Sequence, residues 1–386
     1  MKQAIQFGAG NIGRGFSGLL LEQAGFHVKF ADVILPIVDE INRRGEYVVH
    51  IVGTECTDIT VKNVSAINSL DPQLIDEIAK SEIITTAVCM SNLPKIAPTI
   101  AAGIKARREA GVTAPLHLIC CENAIQNTTQ LKRHVEGHLD QEDIDYMNRY
   151  VGFLDSEVDR IVPPFHREPG DPDMIDVTVE RHHEWTVEST EIKGEFPEIP
   201  GIHVVDQLDP YLERKLFAFN GPHVVTAYLG ELKGIATLRE AIEDKEIEAA
   251  VAALQAECSA MLVKRHGFKA EDMEDYCRTA RERFRNPYLT DEPVRVGREP
   301  LRKLSADDRL VRPMTLALEY GLSVDHYIVG IAAAMHHSDP DDPQTVEMRQ
   351  LIEEKGVKAA LEEMSGIPAS GAIADRVAAE YDRLGK

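Results

Sequence analysis

Three polar side chains capable of acid–base or hydrogen-bonding chemistry lie in an otherwise apolar stretch in the second half of the chain. They are Lys215, Asn220 and His223. In an α-helix of ~3.6 residues per turn, these spacings keep all three side chains within an arc of less than half the helix. The pattern therefore predicts a helix that presents all three to one cleft.

Lys215 has two interpretations. It is either a surface lysine whose stem packs along the protein, or an amine removed from water whose pKa falls from ~10.4 toward neutral pH. In the second case the neutral amine can take a hydroxyl proton as hydride leaves the adjoining carbon. Asn220 would then donate an N–H to the developing alkoxide, a bond worth roughly 3 kcal/mol. His223 would orient substrate hydroxyls, or is simply a hydrogen-bonded core histidine.

Pro222 interrupts this pattern between Asn220 and His223. Proline lacks the N–H that would bond to the Ala218 carbonyl, so the helix is expected either to kink or to end at a turn and restart. Either outcome would move His223 relative to Lys215.

A glycine-rich turn near the N-terminus has the spacing of a dinucleotide-binding motif. Gly8, Gly10 and Gly13 form GxGxxG between a predicted strand and a predicted helix, where they permit a tight turn, approach of pyrophosphate and close helix packing. The helix N-terminus then favours the diphosphate. Glycine turns also occur without ligands, so the context of the motif matters.

Asp32 supplies that context, because it ends the next predicted strand about twenty residues later. A carboxylate there accepts hydrogen bonds from both ribose hydroxyls and repels a 2′-phosphate, which favours NAD over NADP. The alternative is a solvated acid at a strand end. The candidate cofactor-binding residues are Phe7, Gly8, Ala9, Gly10, Asn11, Ile12, Gly13, Arg14 and Asp32.

A basic segment stands out in this acidic chain, whose formal net charge is -22. It contains Arg295, Arg298, Arg302 and Lys303, with Glu299 as its one acid. Local cations decide whether a phosphate is held, since more distant charges are screened, and arginine forks fit phosphate oxygens. The segment is therefore a candidate phosphate site; the alternative, equally open from these residues alone, is a solvated helix whose cations pair with neighbouring acids.

The elements that must position these residues can be predicted from hydrophobic periodicity. Strands are predicted at residues 4–7, 27–31, 47–52, 83–88 and 116–120, with a helix at 15–24, which makes a doubly wound α/β sheet. A proline-rich loop containing Pro163, Pro164, Pro169 and Pro172 should lead into an extended segment, 174–188, that extends this sheet. Helices are predicted at 215–228, 245–266 and 346–363. We therefore expect a dinucleotide-binding domain over residues 1–200 and a mostly α-helical substrate-binding domain over 201–386.

Composition narrows the class of protein. The chain has 386 residues, of which 44% are hydrophobic and 27% charged, as in ordinary globular proteins. The negative charge argues against nucleic acid or an anionic membrane as a partner. Six scattered cysteines, an N-terminus without a signal-like apolar core and the lack of a long apolar run favour a cytoplasmic protein.

No metal site is expected. His134 and His138 have the i, i+4 spacing of a zinc pair, but Val135 stands where the zinc-peptidase motif has Glu. The adjacent pairs His182–His183 and His336–His337 rarely converge on one ion.

Several segments together resemble the mannitol-1-phosphate 5-dehydrogenases of the polyol-specific long-chain dehydrogenase family. They are QFGAGNIGRGF (6–16), CEN (121–123), VDRIVP (158–163), the Lys-x(four)-Asn-x-x-His helix with AYLG (227–230), RFRNPY (283–288) and RVGREPLRKL (295–304). The resemblance runs over nearly the whole chain. It implies an N-terminal Rossmann domain, a helical C-terminal domain and use of NAD without metal.

The resemblance also implies roles for individual residues. Lys215 would be the general acid/base, Asn123 and Asn220 would polarise the reacting oxygen, and Asp159 and His223 would help hold the polyol. The implied reaction interconverts D-mannitol 1-phosphate and D-fructose 6-phosphate, and with the resemblance we expect at least two of the four cations of the basic segment to contact the phosphate. An oligomer is not required. The alternatives are a dehydrogenase of a free polyol or hexuronate, which the same helix would serve, and a non-catalytic NAD sensor.

Overall fold

The computed structural model describes residues 2–53, 55–162, 171, 173–288 and 291–386. The chain divides into two compact units, Met1–Asp209 and Pro210–Lys386. All strands of the described residues lie in the first unit. Within the described residues they are β1 (Gln3–Phe7), β2 (His27–Asp32), β3 (Tyr47–Val52), β4 (Thr57–Val61), β5 (Val64–Asn68), β6 (Ile83–Thr86), β7 (Leu116–Cys120), β8 (Val151–Leu154), β9 (Ser156–Asp159), β10 (Val177–Glu180), β11 (Glu184–Glu188) and β12 (Ile202–Val205).

A six-stranded parallel sheet forms the centre of the N-terminal unit. Its strands lie in the order β5-β2-β1-β6-β7-β8, so the chain order reverses between β1 and β6. Ligands of such sheets bind outside the carboxyl ends of the strands at this reversal. The helices of this unit are α1 (Leu19–Gln23), α2 (Leu35–Arg44), α3 (Gln73–Lys80), α4 (Leu93–Glu109), α5 (Asn127–Glu136) and α6 (Gln141–Tyr150), with a π-turn at Gly13–Gly18 and a 3₁₀ turn at Met90–Asn92.

Both faces of this sheet are covered. Ile5 and Leu118 belong to one buried apolar cluster, whereas their neighbours Ala4 and Ile119 belong to a second cluster. Successive residues of a strand point to opposite faces, so the two clusters lie on opposite sides of the sheet. The predicted doubly wound α/β fold is therefore confirmed.

The expected extension of this sheet is wrong. Strand β3 pairs with β10 and β4 in a separate three-stranded sheet, and β11 pairs with β9 and β12 in another. The β10 strand packs on the glycine-rich helix, because a β-carbon added at Gly15 would lie 2.6 Å from Val179 Cγ1. Periodicity predicted β3 and the extended segment that contains β10 and β11, but it does not encode their partners, and it missed β4, β5, β8, β9 and β12.

The regular elements of the C-terminal unit are all helices within its described residues, in agreement with the predicted mostly α-helical domain. Its helices are α7 (Asp209–Lys215), α8 (Gly221–Leu232), α9 (Leu238–Glu243), α10 (Lys245–His266), α11 (Ala270–Phe284), α12 (Pro293–Gly297), α13 (Pro300–Lys303), α14 (Val311–Glu319), α15 (Asp325–Met335), α16 (Pro343–Lys355), α17 (Val357–Ser365) and α18 (Ala372–Leu384). A π-turn, Leu216–Asn220, joins α7 to α8. The single helix predicted at 346–363 is wrong, because Gly356 (φ 79°) separates α16 from α17.

Two further expectations concern the proline-rich loop and helices that could span a membrane. The prolines of the expected loop, Pro163, Pro164, Pro169 and Pro172, lie outside the described residues. In the described part of the chain, each helix is too short or too polar to cross a lipid bilayer.

Candidate active site

The glycine turn lies where the order of the central sheet reverses. Gly8 comes directly after β1 with φ 89°, a conformation that a side chain strains. A β-carbon at Gly8 would also lie 2.4 Å from the carbonyl oxygen of Ala87, just beyond β6. The first glycine of the motif is therefore required by both its backbone angle and the neighbouring strand.

The helix after this turn begins at the surface. Gly10 is exposed and Asn11 and Ile12 are partly exposed, whereas Gly13 is buried. The N–H groups of a first helical turn have no partner within the helix, so this end can receive an anion. Asp32 stands beside it, because its carboxylate accepts hydrogen bonds from the Ala9 N–H (2.6 Å) and the Ile34 N–H (2.9 Å).

Arg14 is placed differently from the rest of the predicted cofactor-binding run. It is only 4% exposed, and burial lowers its pKa to about 10, an effect that the charges of Asp32 and Asp176 oppose. Its Nη2 donates weakly to Asn11 Oδ1 at 3.4 Å. Arg14 therefore lies beneath the turn rather than at its surface.

Polar groups also gather at the carboxyl ends of β6 and β7. Asn123 is exposed just after β7, as a residue that contacts a ligand would be. Its neighbour Glu122 is buried and accepts hydrogen bonds from Thr86 Oγ1 (2.7 Å) and the Val88 N–H (2.8 Å). Glu122 was not predicted as a site residue, yet it ties the end of β6 to the segment carrying Asn123.

Asp159, the other predicted polyol-binding residue of this unit, ends β9 and is 3% exposed. His182 Nε2 lies 3.8 Å from Asp159 Oδ2. His182 was considered only as part of a histidine pair, and its proximity to Asp159 depends on strand pairing that the sequence does not reveal.

In the C-terminal unit the predicted helix carrying Lys215, Asn220 and His223 is present and unbroken. Lys215 ends α7, Asn220 ends the π-turn and His223 lies in α8. All three side chains are partly buried. Pro222 thus causes neither a stop nor a restart, since the residues around it keep right-handed helical angles.

The π-turn brings the three side chains closer together in angle. In a straight α-helix, Asn220 and His223 lie about 140° and 80° around the axis from Lys215. A π-turn adds one residue to a turn and rotates the subsequent residues back by roughly 100°. The three side chains then span about 60° instead of about 140°, so they share a much narrower face.

His223 is held in an aromatic and cationic environment. Its ring is stacked with that of Phe219 at 6.1 Å and lies 5.0 Å from that of Phe284, while its Nε2 is 3.9 Å from Asp291 Oδ2. Burial lowers the pKa of His223 to about 4, and the negative charge of Asp291 offsets this effect only in part. His223 is therefore a neutral hydrogen-bonding group near pH 7.

The basic segment packs against α8, next to this histidine. Tyr228 donates its hydroxyl to the Gly297 carbonyl at 2.9 Å, which fixes α12 to α8. The three arginines of the segment form ion pairs with carboxylates. Arg295 pairs with Asp291, Arg298 with Asp339 at 2.7 Å, and Arg302 with Glu299 at 2.7 Å and Asp308 at 3.1 Å.

Lys303 differs from these three arginines. It is 7% exposed, and its Nζ donates to the carbonyls of Val296 (2.6 Å) and Arg298. Burial lowers its pKa to about 8, and the nearby charges of Arg309 and Arg302 add to this effect. Lys303 thus combines a buried amine with the repulsion of two other cations.

Two further cations face His223 and were missed by the sequence analysis. The charges of Lys303, Arg283 and Arg309 all act on its ring. Arg283 lies over the Phe219 ring at 4.0 Å, and the Arg309 carbonyl oxygen would be 2.8 Å from a β-carbon at Gly221. We call Lys303, Arg283 and Arg309 the inner cations. They come together through helix packing, which the sequence does not reveal, although Arg283 belongs to the RFRNPY segment.

Among the described residues, no group of three or more His, Cys, Asp or Glu side chains is arranged to hold a metal ion.

Solved structures share this fold at low sequence identity. A mannitol 2-dehydrogenase from Pseudomonas fluorescens, in a ternary complex with NAD and D-mannitol, matches with a TM-score of 0.71 and 18% identity over 100% of this chain and 92% of that chain. A substrate-free D-sorbitol dehydrogenase matches with a TM-score of 0.74 and 17% identity over 93% of this chain and 94% of that chain.

Family profiles cover nearly the whole chain. Residues 2–201 match the mannitol dehydrogenase Rossmann domain, and residues 207–385 match the mannitol dehydrogenase C-terminal domain. The first match confirms the predicted Rossmann-type fold and NAD as the cofactor. The chain belongs to the mannitol dehydrogenase family.

Proposed function

We propose that the chain is an NAD-dependent polyol dehydrogenase that interconverts D-mannitol 1-phosphate and D-fructose 6-phosphate without a metal. The observation that carries the dehydrogenase assignment is the alignment of Lys215, Asn220 and His223 on one helix face by the π-turn. Family membership supports the polyol as substrate class. The phosphate is supported by the inner cations.

The residues of the glycine turn fit NAD. A β-carbon at Gly10 would meet nothing within 4 Å, so the second glycine of the motif has open space on its exposed side. This is the space through which a pyrophosphate would approach the backbone. Asp32, held against the turn by the Ala9 N–H, would accept hydrogen bonds from the ribose hydroxyls.

Lys215, in its neutral form, would take the proton of the reacting hydroxyl. Asn220 and Asn123 would donate N–H groups to the oxygen as negative charge develops on it. Bound NAD supplies the hydride acceptor. His223, neutral near pH 7, would bond to a polyol hydroxyl, and we assign Asp159 the same task.

The inner cations are better placed for phosphate than the three arginines of the basic segment. Those arginines each pair with an acid and are about half exposed, so water and carboxylates already satisfy their charge. Arg309 also pairs with an acid, Asp308, but Arg309 and Lys303 are more buried and lie beside the catalytic helix. Of the four cations predicted from the sequence, we therefore retain Lys303 and add Arg309 and Arg283.

The same pairing of Arg295, Arg298 and Arg302 favours one alternative, a dehydrogenase of a free polyol. The two structural relatives bear names of enzymes of free polyols. Equal kcat/KM values on fructose and fructose 6-phosphate would decide for this alternative.

Glycine substitutions test the NAD site. Gly13→Ala should lose both stability and NADH affinity, because its β-carbon would lie 2.0 Å from the Gly8 carbonyl oxygen. Gly10→Ala should keep its thermal stability but weaken NADH binding by roughly tenfold or more, since its methyl group fills the pyrophosphate approach. Fluorescence titration and thermal melts measure the two effects. Gly53→Ala, also in open space, is the control, and unchanged affinity in Gly10→Ala would contradict the site.

Replacing Lys215 tests the catalytic assignment. Lys215→Ala should lower kcat by roughly 10²- to 10⁴-fold, the range typical of a general base, while NADH affinity stays unchanged. NADH absorbance with a panel of ketoses and ketose phosphates, with EDTA present, gives the rates and the metal independence. Undiminished turnover in Lys215→Ala would exclude Lys215 as the general base, whereas NADH binding without turnover of any substrate by the unsubstituted protein would favour the NAD-sensor alternative.

Two arginine substitutions test the phosphate site. Arg309→Ala should raise KM for fructose 6-phosphate by roughly tenfold or more and change the rate on fructose little, because it removes a partly buried charged contact. Arg298→Ala, which removes a half-exposed arginine paired with the buried Asp339, should change KM less than threefold, because this arginine lies outside the proposed phosphate site. A larger rise in KM for Arg298→Ala than for Arg309→Ala would instead favour a phosphate site at the exposed arginines.

The pKa of Lys303 predicts a pH dependence. Because this pKa is lowered to about 8, the amine is charged below that pH and neutral above it. The ratio of kcat/KM for fructose 6-phosphate to that for fructose should therefore fall between pH 7 and pH 9. Using the ratio cancels pH effects that act equally on both substrates. In Lys303→Met the ratio should be low and flat, and a flat ratio in the unsubstituted protein would exclude Lys303 from the phosphate site.

A further inference from the structure

The π-turn beside Asn220 solves a problem created by Pro222. In an α-helix, the N–H of residue 222 would bond to the Ala218 carbonyl, but proline has no N–H and its ring collides with that carbonyl. The turn widens here, with the Gly221 N–H bonding to the Leu216 carbonyl instead. This leaves the buried Ala218 carbonyl in need of a donor.

Gln255 provides that donor from a different helix. Its Nε2 donates to the Ala218 carbonyl at 3.1 Å, and the side chain, on α10, is 1% exposed. Its Oε1 in turn accepts a hydrogen bond from Arg281 of α11. Both ends of the amide are thus used, which fixes its orientation.

The neighbours of Gln255 show that this amide is not part of a polar patch. Leu254, Val251 and Cys258 on the same helix are buried apolar residues. A buried amide is costly unless it is hydrogen-bonded, so its place here depends on the two bonds it makes.

We infer that Gln255 is a positioning residue for catalysis: by bonding to the Ala218 carbonyl, it stabilises the π-turn that aligns Lys215, Asn220 and His223. Without this bond, the Ala218 carbonyl loses the side-chain donor that stands in for the N–H missing from Pro222. The helix then samples geometries in which the three side chains spread over a wider arc. This inference rests on the proposed function for its kinetic consequence, but the bond itself can be tested without turnover.

The test is a double-mutant cycle between Gln255 and Pro222. Gln255→Met removes both hydrogen bonds at similar volume, and Gln255→Glu keeps the acceptor for Arg281 but loses the N–H donor. Both variants should lower kcat, normalised to the sites counted by NADH titration, by at least tenfold, with NADH affinity unchanged. Both should also lower the melting temperature.

Pro222→Ala restores an N–H that can bond to the Ala218 carbonyl, so in that background Gln255→Met should cost much less thermal stability. The kcat of Pro222→Ala should itself be low, because a regular α-turn spreads the three side chains, and adding Gln255→Met should not lower it further. This shared loss would show that both residues act through the same turn.

Ser365→Ala is the matched control, because Ser365 is buried and its hydroxyl likewise donates to a helix carbonyl, that of Leu361, at 2.6 Å. Its loss should lower the melting temperature without changing normalised kcat. Normalised kcat within twofold of the unsubstituted protein in both Gln255 variants would overturn the positioning role. Additive melting-temperature losses in the cycle would overturn the bond to the Pro222 turn. If the unsubstituted protein has no dehydrogenase activity, the proposed function fails, while the stability cycle still tests the bond.

Discussion

Every buried backbone carbonyl must find a hydrogen-bond donor, and this constraint shapes the surroundings of the candidate residues in each unit. Each unit has a helix that contains a π-turn, where the regular pairing of carbonyls with N–H groups is interrupted. Donors from outside the helix take over. In the N-terminal unit, the Tyr47 hydroxyl donates to the Arg14 carbonyl at 2.7 Å, and Arg160 Nη1 donates to the Gly15 carbonyl at 3.0 Å.

The C-terminal unit uses the same device with an amide, since Gln255 donates to the Ala218 carbonyl. In both cases a buried polar side chain from a separate element fixes an irregular turn next to the residues assigned to chemistry. π-Turns are frequent at functional sites, because an extra residue in a turn redirects the side chains beyond it. Here that redirection brings Lys215, Asn220 and His223 together.

Electrostatics in this acidic chain depends on which cations are already paired. Asp291, Asp308 and Asp339 pair with the arginines of the basic segment, and the hydrogen bond from Arg298 lowers the pKa of Asp339. The inner cations are more buried than these arginines, which makes their charge costly and lowers the pKa of Lys303. An anion bound there would offset that cost.

Local sequence patterns were enough to predict much of the fold and the linear positions of the candidate residues. Gly8, Gly10, Gly13 and Asp32 could be predicted because a strand–turn–helix unit places them locally, and Lys215, Asn220 and His223 because a helix repeats every ~3.6 residues. Tertiary packing was needed to establish how β3 and β10 pair, that α16 ends at Gly356, and which cations face His223. It also established that Pro222 produces a π-turn supported by Gln255, thirty-three residues away in the next long helix. The physical reason is that local geometry depends on neighbouring residues, whereas strand pairing, salt-bridge partners and the donor for an unpaired carbonyl depend on contacts between distant segments.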